Sequence, residues 1–154
     1  MITVCAISEV KKENYDEVWL ITRSPGKVSL NGIKHIPALS PSKSLFFGYL
    51  NKSKANQWNK QTFESWYVPE FINELKRNII EPGDTKSSYD YLNELFTKDQ
   101  EDKRIALCCF CTPNGKKELL CHRLVIAAIL KAVSCKVNVD GLDPNNTYYN
   151  QFMM

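Results

Sequence analysis

Two segments are the most densely apolar of this chain, and they stand almost back to back. Ile105-Ala106-Leu107-Cys108-Cys109-Phe110 is a continuous apolar run with no polar alternation. Such a run suits a strand buried on both faces, as in the middle of a parallel or mixed sheet. After the loop Thr112-Pro113-Asn114-Gly115 comes Leu119 to Val133. Its Leu120, Leu124, Ile126, Ala127, Ile129 and Leu130 predict a helix packed on that sheet. Strand 105–110, loop 111–118 and helix 119–133 therefore form one β-loop-α unit.

The rest of the chain extends this pattern. Ile2 to Ile7 and Val18 to Thr22 are short runs rich in β-branched residues, the second stopped by the turn signal Ser24-Pro25-Gly26. Ile33 to Leu39 predicts a third strand, ended by Pro41. The middle is helical. Leu45 to Leu50 predicts one or two turns, and Trp58 to Ile80 carries Phe63, Trp66, Tyr67, Phe71, Leu75 and Ile79 at helical spacing. Pro69 interrupts that stretch and predicts a kink, or two helices joined near Val68. Glu81-Pro82-Gly83-Asp84 ends it, and Ser88 to Phe96 predicts a shorter helix. Strands alternating with helices imply an α/β fold on an open sheet, parallel or mixed, with strand 105–110 central. No repeat or linker divides the chain, so residues 1–154 are expected to form one domain, with an irregular Asn- and Tyr-rich tail at 140–154.

Composition excludes more than it selects. A length of 154 residues is ample for a buried core, and 24% charged residues argue against disorder. The net charge of +3 is compatible with a nucleotide or nucleic acid as partner but well short of a strongly basic binder. Among the cations the arginines Arg23, Arg77, Arg104 and Arg123 are the informative ones, because a guanidinium grips anions bidentately. No apolar run approaches the ~20 residues that span a bilayer, and the start MITVCAISEV does not read as a signal peptide. The expected setting is cytoplasmic, with no membrane partner and with all six cysteines reduced. The preference for Lys over Arg, with abundant Asn and Ile, suits an AT-rich genome such as a viral one.

In open α/β sheets, ligands sit at the carboxyl ends of strands, where loops meet helix N-termini. Here that place carries Cys111, then Cys121, His122 and Arg123, expected in the first turn of the helix. Free N–H groups at a helix start favour an anion or a thiolate, Arg123 adds a permanent charge, and His122 titrates near neutrality. Cys121 and His122 are the candidate catalytic pair, and Arg123 and Cys111 candidate ligand contacts. Thr22-Arg23-Ser24 and Ser40-Pro41-Ser42 end two other strands, so Arg23, Ser24 and Ser42 are expected to complete an anion pocket. The same residues also fit structural roles. Cysteine behaves as a small buried hydrophobe, serine caps turns and helices, and Trp58, Trp66 and Tyr67 at helical spacing fit a core as well as a base-stacking surface. Cys109, Cys111, Cys121 and His122 are the right donors for zinc, but their spacing departs from the usual pairs two to four residues apart. No metal and no cofactor are therefore expected.

Ile105 to Phe110 followed by Cys121-His122-Arg123 and an apolar helix resembles the domain of unknown function family 488. Looser matches are Thr22-Arg23-Ser24-Pro25, the Ala38-to-Ser42 segment before a short helix, and Phe63 with Tyr67 ahead of Glu74-Leu75. Together they cover about residues 2–133. Where many members carry an acidic residue just after the strand, this chain has Cys111-Thr112-Pro113, so an acid/base role does not carry over to that spot. The resemblance implies a Rossmann-like α/β build with helices on both faces, and no particular activity. The expected function is binding or processing of a small anionic ligand, such as a nucleotide or nucleic-acid end, at the Cys-His-Arg corner. The alternatives are a non-catalytic interaction domain, in which that corner is packing, and a small zinc-stabilised domain.

Overall fold

The computed structural model describes residues 1–77, 80, 84–111 and 120–139. Its strands are β1 (Ile2–Ala6), β2 (Glu17–Leu20), β3 (Lys34–His35), β4 (Ile105–Cys109) and β5 (Val137–Val139). They form one sheet in the order β3-β2-β4-β1-β5, parallel throughout. β4 is the central strand, buried at all five residues, and Leu107 in its middle pairs with Val4 on one side and Trp19 on the other. An open α/β sheet, parallel or mixed, was expected from the uninterrupted apolar runs, and the one that forms is parallel.

Alternation along the strands separates two cores. Ile2, Val4, Trp19, Ile105 and Leu107 face the helices, where they meet Leu45, Phe63, Phe71, Leu75, Leu95, Val125 and Ile126. Cys5, Val18, Ala106 and Cys108 face the other way, under Ile7, Val10, Tyr15 and Ile33. Helical turns thus flank both faces unequally. The α-helices pack on the first face, and the segment with the single-turn 3-10 helices Ile7–Glu9 and Lys12–Asn14 lies over the second.

The helices are α1 (Lys43–Lys54), the short α2 (Lys60–Thr62), α3 (Val68–Lys76), α4 (Ser88–Gln100) and α5 (His122–Ala132). Ser42 and Ser87 cap α1 and α4 by accepting the amides of Leu45 and Asp90. α1 runs further than Leu45–Leu50 because most of its surface is solvated and only Leu45 is buried, so no apolar stripe marks its length. Between α2 and α3 the chain makes a π turn, Phe63–Tyr67, with the Val68 amide bonded to the Phe63 carbonyl. That wide turn sits just ahead of Pro69, where the helix was expected to kink, since proline supplies no amide to the preceding turn. β3 is shorter than Ile33 to Leu39, because Pro37 has no N–H to extend the ladder and instead starts a 3-10 turn. β5 is an addition, too short to stand out in the sequence. The loop expected at 112–118, the first residue of the predicted helix 119–133, residues 81–83 and the tail 140–154 lie outside the described residues.

α5 is buried from His122 to Leu130. It lies against β1, β4 and β5 on one side and α3 on the other, which explains apolar residues all round it. Burying its Leu and Ile side chains at ~1.5–3 kcal/mol each makes this the best-anchored helix of the fold. Among the described residues no helix is long and apolar enough to cross a membrane. The connections set up the site. From β1 the chain steps outward to β2 and β3, whereas from β4 it steps the opposite way to β5. The direction reverses between β2 and β4, and such a switch point opens a crevice at the carboxyl edge.

Candidate functional site

Cys109 closes β4 on the helix-bearing face, as the alternation from Ile105 and Leu107 requires. Two residues later in an extended chain a side chain returns to the same side, so Cys109 and Cys111 present their sulfurs together. Cys121 completes the group from across the loop. It precedes the first turn of α5, as an extended N-cap residue with φ −139° and ψ 148°, and not within that turn as the sequence implied. This turns its thiol back onto Cys109, Sγ to Sγ 3.3 Å. All three sulfurs, of Cys109, Cys111 and Cys121, lie within 4.8 Å of one another. Cys109 and Cys121 are buried, and Cys111 is exposed.

The two residues after Cys121 hold this cluster from behind. His122 places Nε2 2.6 Å from the carbonyl of Ile21, just past β2, and its ring stands edge-on to Phe71. So short a contact with a carbonyl requires the proton on Nε2, which leaves the lone pair of Nδ1 facing Cys121 Sγ at 3.5 Å. Burial keeps the His122 pKa below its ordinary value, although the charge on Cys109 and the Ile21 carbonyl pull the other way. Arg123 is only 1% exposed. It donates from NH1 to the Cys111 carbonyl at 2.6 Å and to Cys109 Sγ at 3.2 Å, and its buried Nε has no partner among the described residues.

Hydrogen bonds among the three thiols, with a cation beside them, set where a charge on the cluster is favoured. Hydrogen bonds from Cys111 and Cys121, then the charges of His122 and Arg123, hold the Cys109 thiol far below its ordinary range despite burial. The bond to Cys109 is also the main cause pushing Cys111 up to about 11 and Cys121 well above its ordinary value. These shifts favour a thiolate on Cys109 over one on Cys111 or Cys121. Burial raises the pKa of Tyr67, and the nearby thiols and Glu74, which lines a cleft, add to the rise.

That cleft is lined by Arg23, Ser40, Ser42, Glu74, Arg77 and Asp84, among others. Arg23 follows β2 and ties it to the next segment, donating to the carbonyls of Ser40 and Pro41 at 3.3 and 3.2 Å. Ser42 donates from Oγ to Glu74 Oε2 and from its amide to Oε1 at 2.9 Å, while the same Oγ caps α1. Asp84 Oδ2 is buried there with no partner among the described residues. Of the residues singled out in sequence, the structure brings Cys111, Cys121, His122 and Arg123 together around Cys109, and puts Arg23 and Ser42 in the cleft. Ser24 is in neither group. It is exposed, and its Oγ accepts the amide of Gly26 at 3.2 Å within the turn after β2. Gly26 has φ +58°, and a Cβ there would lie 3.1 Å from the Phe110 ring, so the glycine lets this turn close on the end of β4. The sequence offers Cys109 only as a zinc donor and Tyr67 only as a core or stacking residue, and it does not single out Glu74 for the site. The C-x-C spacing was the signal for Cys109, whereas nothing local marks Glu74 or Tyr67. Trp58, Trp66 and Tyr67 form an aromatic group with Tyr49, Phe63 and Phe71, edge-to-face around Trp58 and stacked or tilted where Tyr67 meets Phe63 and Phe71, which is their core role.

A family model described as the active DUF488-N3 subclade matches residues 2–134. The chain belongs to the DUF488 family. Comparison with curated proteins found no match, and comparison with solved structures found none either. The matched span runs from the first residue of β1 past the end of α5, so the thiol cluster, His122, Arg123 and the Arg23 cleft of this DUF488 domain all lie inside it.

Proposed function

We propose that this DUF488 domain binds a small anionic ligand of the phosphate-ester or nucleotide class at the carboxyl edge between β2 and β4, where the thiol cluster acts on it. A nucleic-acid end offers the same terminal phosphate. One observation carries the reading: the buried guanidinium of Arg123 stands 3.2 Å from Cys109 Sγ. A permanent cation set against sulfur stabilises an electron-rich thiolate, the form in which sulfur reacts. Arg123 serves the sulfur and the Cys111 carbonyl, so the ligand's charge falls to Arg23 and Arg77 of the cleft. Cys111 is the exposed member through which the cluster meets the ligand, with Cys121 and His122 behind it. No cofactor enters this reading.

The test is a thermal-shift panel with inorganic phosphate, sulfate, AMP and ATP in the presence of a chelator. A ligand at a hundred times its dissociation constant stabilises the fold by ~2.7 kcal/mol. Arg77→Ala removes most of that gain, since a charged hydrogen bond contributes ~1.5–3 kcal/mol. Protection by none of these anions overturns the reading. The second reading, a non-catalytic interaction domain, is favoured by the adjacent exposed Phe46 and Phe47 on α1. It expects no anion to protect.

A further inference from the structure

The geometry points to a metal centre: Cys109, Cys111 and Cys121 bind one thiophilic metal ion, with an open coordination position toward solvent. This deepens the reading above, because it rests on the same corner being the functional one. The starting observation is that the three sulfurs lie within 4.8 Å of one another, with Cys109 and Cys121 3.3 Å apart. Zinc bonds to sulfur at ~2.3 Å, which sets the sulfurs of a three-thiolate site a little under ~4 Å apart. The Cys109–Cys121 pair lies a few tenths of an ångström inside that spacing, and the 4.8 Å bound leaves the other two pairs within about 1 Å of it. Linear spacing hid this, since Cys109-x-Cys111 is a strand-end pair on one face and Cys121 returns only through the N-cap geometry of α5.

The surroundings fit such a centre in two further ways. Three thiolates around a divalent ion carry one net negative charge, and Arg123, 1% exposed and 3.2 Å from Cys109 Sγ, neutralises it inside the fold. His122 anchors its Nε2 on the Ile21 carbonyl and holds Nδ1 3.5 Å from Cys121 Sγ. The Nδ1 lone pair takes up the Cys121 proton as the sulfur bonds to the metal. Five of the six cysteines are buried, and Cys111 alone is exposed. The side of the ion next to Cys111 is therefore the open one. Three protein donors with a vacant fourth position is the arrangement of reactive zinc sites, whereas structural sites close with four. A water or an oxygen of the anionic ligand takes that place.

The full chain, reduced with a phosphine and stripped with a chelator, is titrated with zinc against a chromophoric competitor in the absence of any phosphate. One equivalent binds. Cobalt in its place gives the intense charge-transfer bands of thiolate ligation and the visible bands of a four-coordinate ion. Cys111→Ser, at an exposed position that leaves the core intact, weakens zinc by more than roughly 100-fold. Cys109→Ser and Cys121→Ser do the same wherever circular dichroism shows them folded. Cys5→Ser and Cys135→Ser leave the affinity within a few-fold. Binding well below one equivalent, a cobalt spectrum without thiolate bands, or zinc affinity indifferent to Cys111→Ser overturns the assignment. Because the titration holds no phosphate and the anion panel holds a chelator, either reading can fail without the other.

Discussion

Cys108 and Cys109 are consecutive residues of the same strand, and each meets a second cysteine across the fold. Cys108 Sγ lies 3.7 Å from Cys5 Sγ on the face covered by Ile7, Val10 and Tyr15, and Cys109 Sγ lies 3.3 Å from Cys121 Sγ on the helix face. Burial and sulfur-to-sulfur distance are alike. The difference is the company. The bond to Cys5, then burial, drives the Cys108 thiol far above its ordinary range, while Arg123 only weakly opposes them. Across the sheet, Arg123 touches the sulfur, His122 backs the partner, and exposed Cys111 connects the group to solvent. Close thiols are ordinary packing until a cation and a route to solvent are added. The Cys5–Cys108 pair is therefore an internal control for the cluster.

The sharpest way to break this contrast is by access. Iodoacetamide should label Cys111 in the native protein, while Cys5 and Cys108 wait for unfolding. With the fold stable by at least ~5 kcal/mol, the rates should differ by roughly 1000-fold or more. Peptide mapping by mass spectrometry reads the order, and early labelling of Cys108 would dissolve the distinction.

Next in size is the cation. Arg123→Ala strips the sulfur of its charge partner and leaves the Cys111 carbonyl without a donor, at a cost of ~2–4 kcal/mol in urea unfolding. Cys108→Ala, which removes only a small buried group, should cost ~1 kcal/mol. Equal losses from the two would mean that the arginine does no more than fill space.

Proton linkage separates the pairs by sign. A thiol depressed in the folded state stabilises the fold fully above its ordinary value of 9.0, and that contribution falls as pH drops toward the folded value. Cys109 therefore makes stability rise with pH across 7–8. Cys108, raised by Cys5 and by burial, acts only above 9.0 and with the opposite sign. Cys111, pushed up to about 11, behaves like Cys108. His122, depressed by burial, adds to the acid-side loss below its ordinary 6.5. In chelator-treated protein the slope between pH 7 and 8 should reach at most ~1.4 kcal/mol per pH unit. It should vanish in Cys109→Ser and survive in Cys5→Ser, as urea midpoints at the two pH values will tell.

The smallest effect expected is that of Cys5→Ala, within ~1 kcal/mol and without consequence for Cys111 labelling. A labelling change would show that the two faces communicate through β4.

What residue order determined by itself was whatever local periodicity and backbone chemistry control. The uninterrupted run at 105–110 reads as a doubly buried strand, which holds for Ile105 to Cys109 but not for exposed Phe110, and the apolar helix after it reads as packed on the sheet. Pro69 had to widen or break its helix, and Cys-His-Arg had to fall where β4 hands over to α5. Local signals did not show that Pro37 would cut β3 short, that polar α1 would run to Lys54, or that Val137–Val139 would add an edge strand. Those outcomes hang on pairing partners and solvation, which a linear pattern does not contain.

Tertiary structure alone decided the chemistry of the site. The donors looked wrongly spaced for a cluster because spacing along the chain measures contour length. Convergence of Cys109, Cys111 and Cys121 depends on side-chain direction at a strand end and at an N-cap. Arg123 could have faced solvent or sulfur, and only the packing of α5 between the sheet and α3 turned it inward. Ser24 and Ser42 looked equivalent in sequence, yet one closes a turn and the other is gripped by Glu74, 32 residues away. A contact at that separation is made by the fold, and no property of the neighbouring residues announces it.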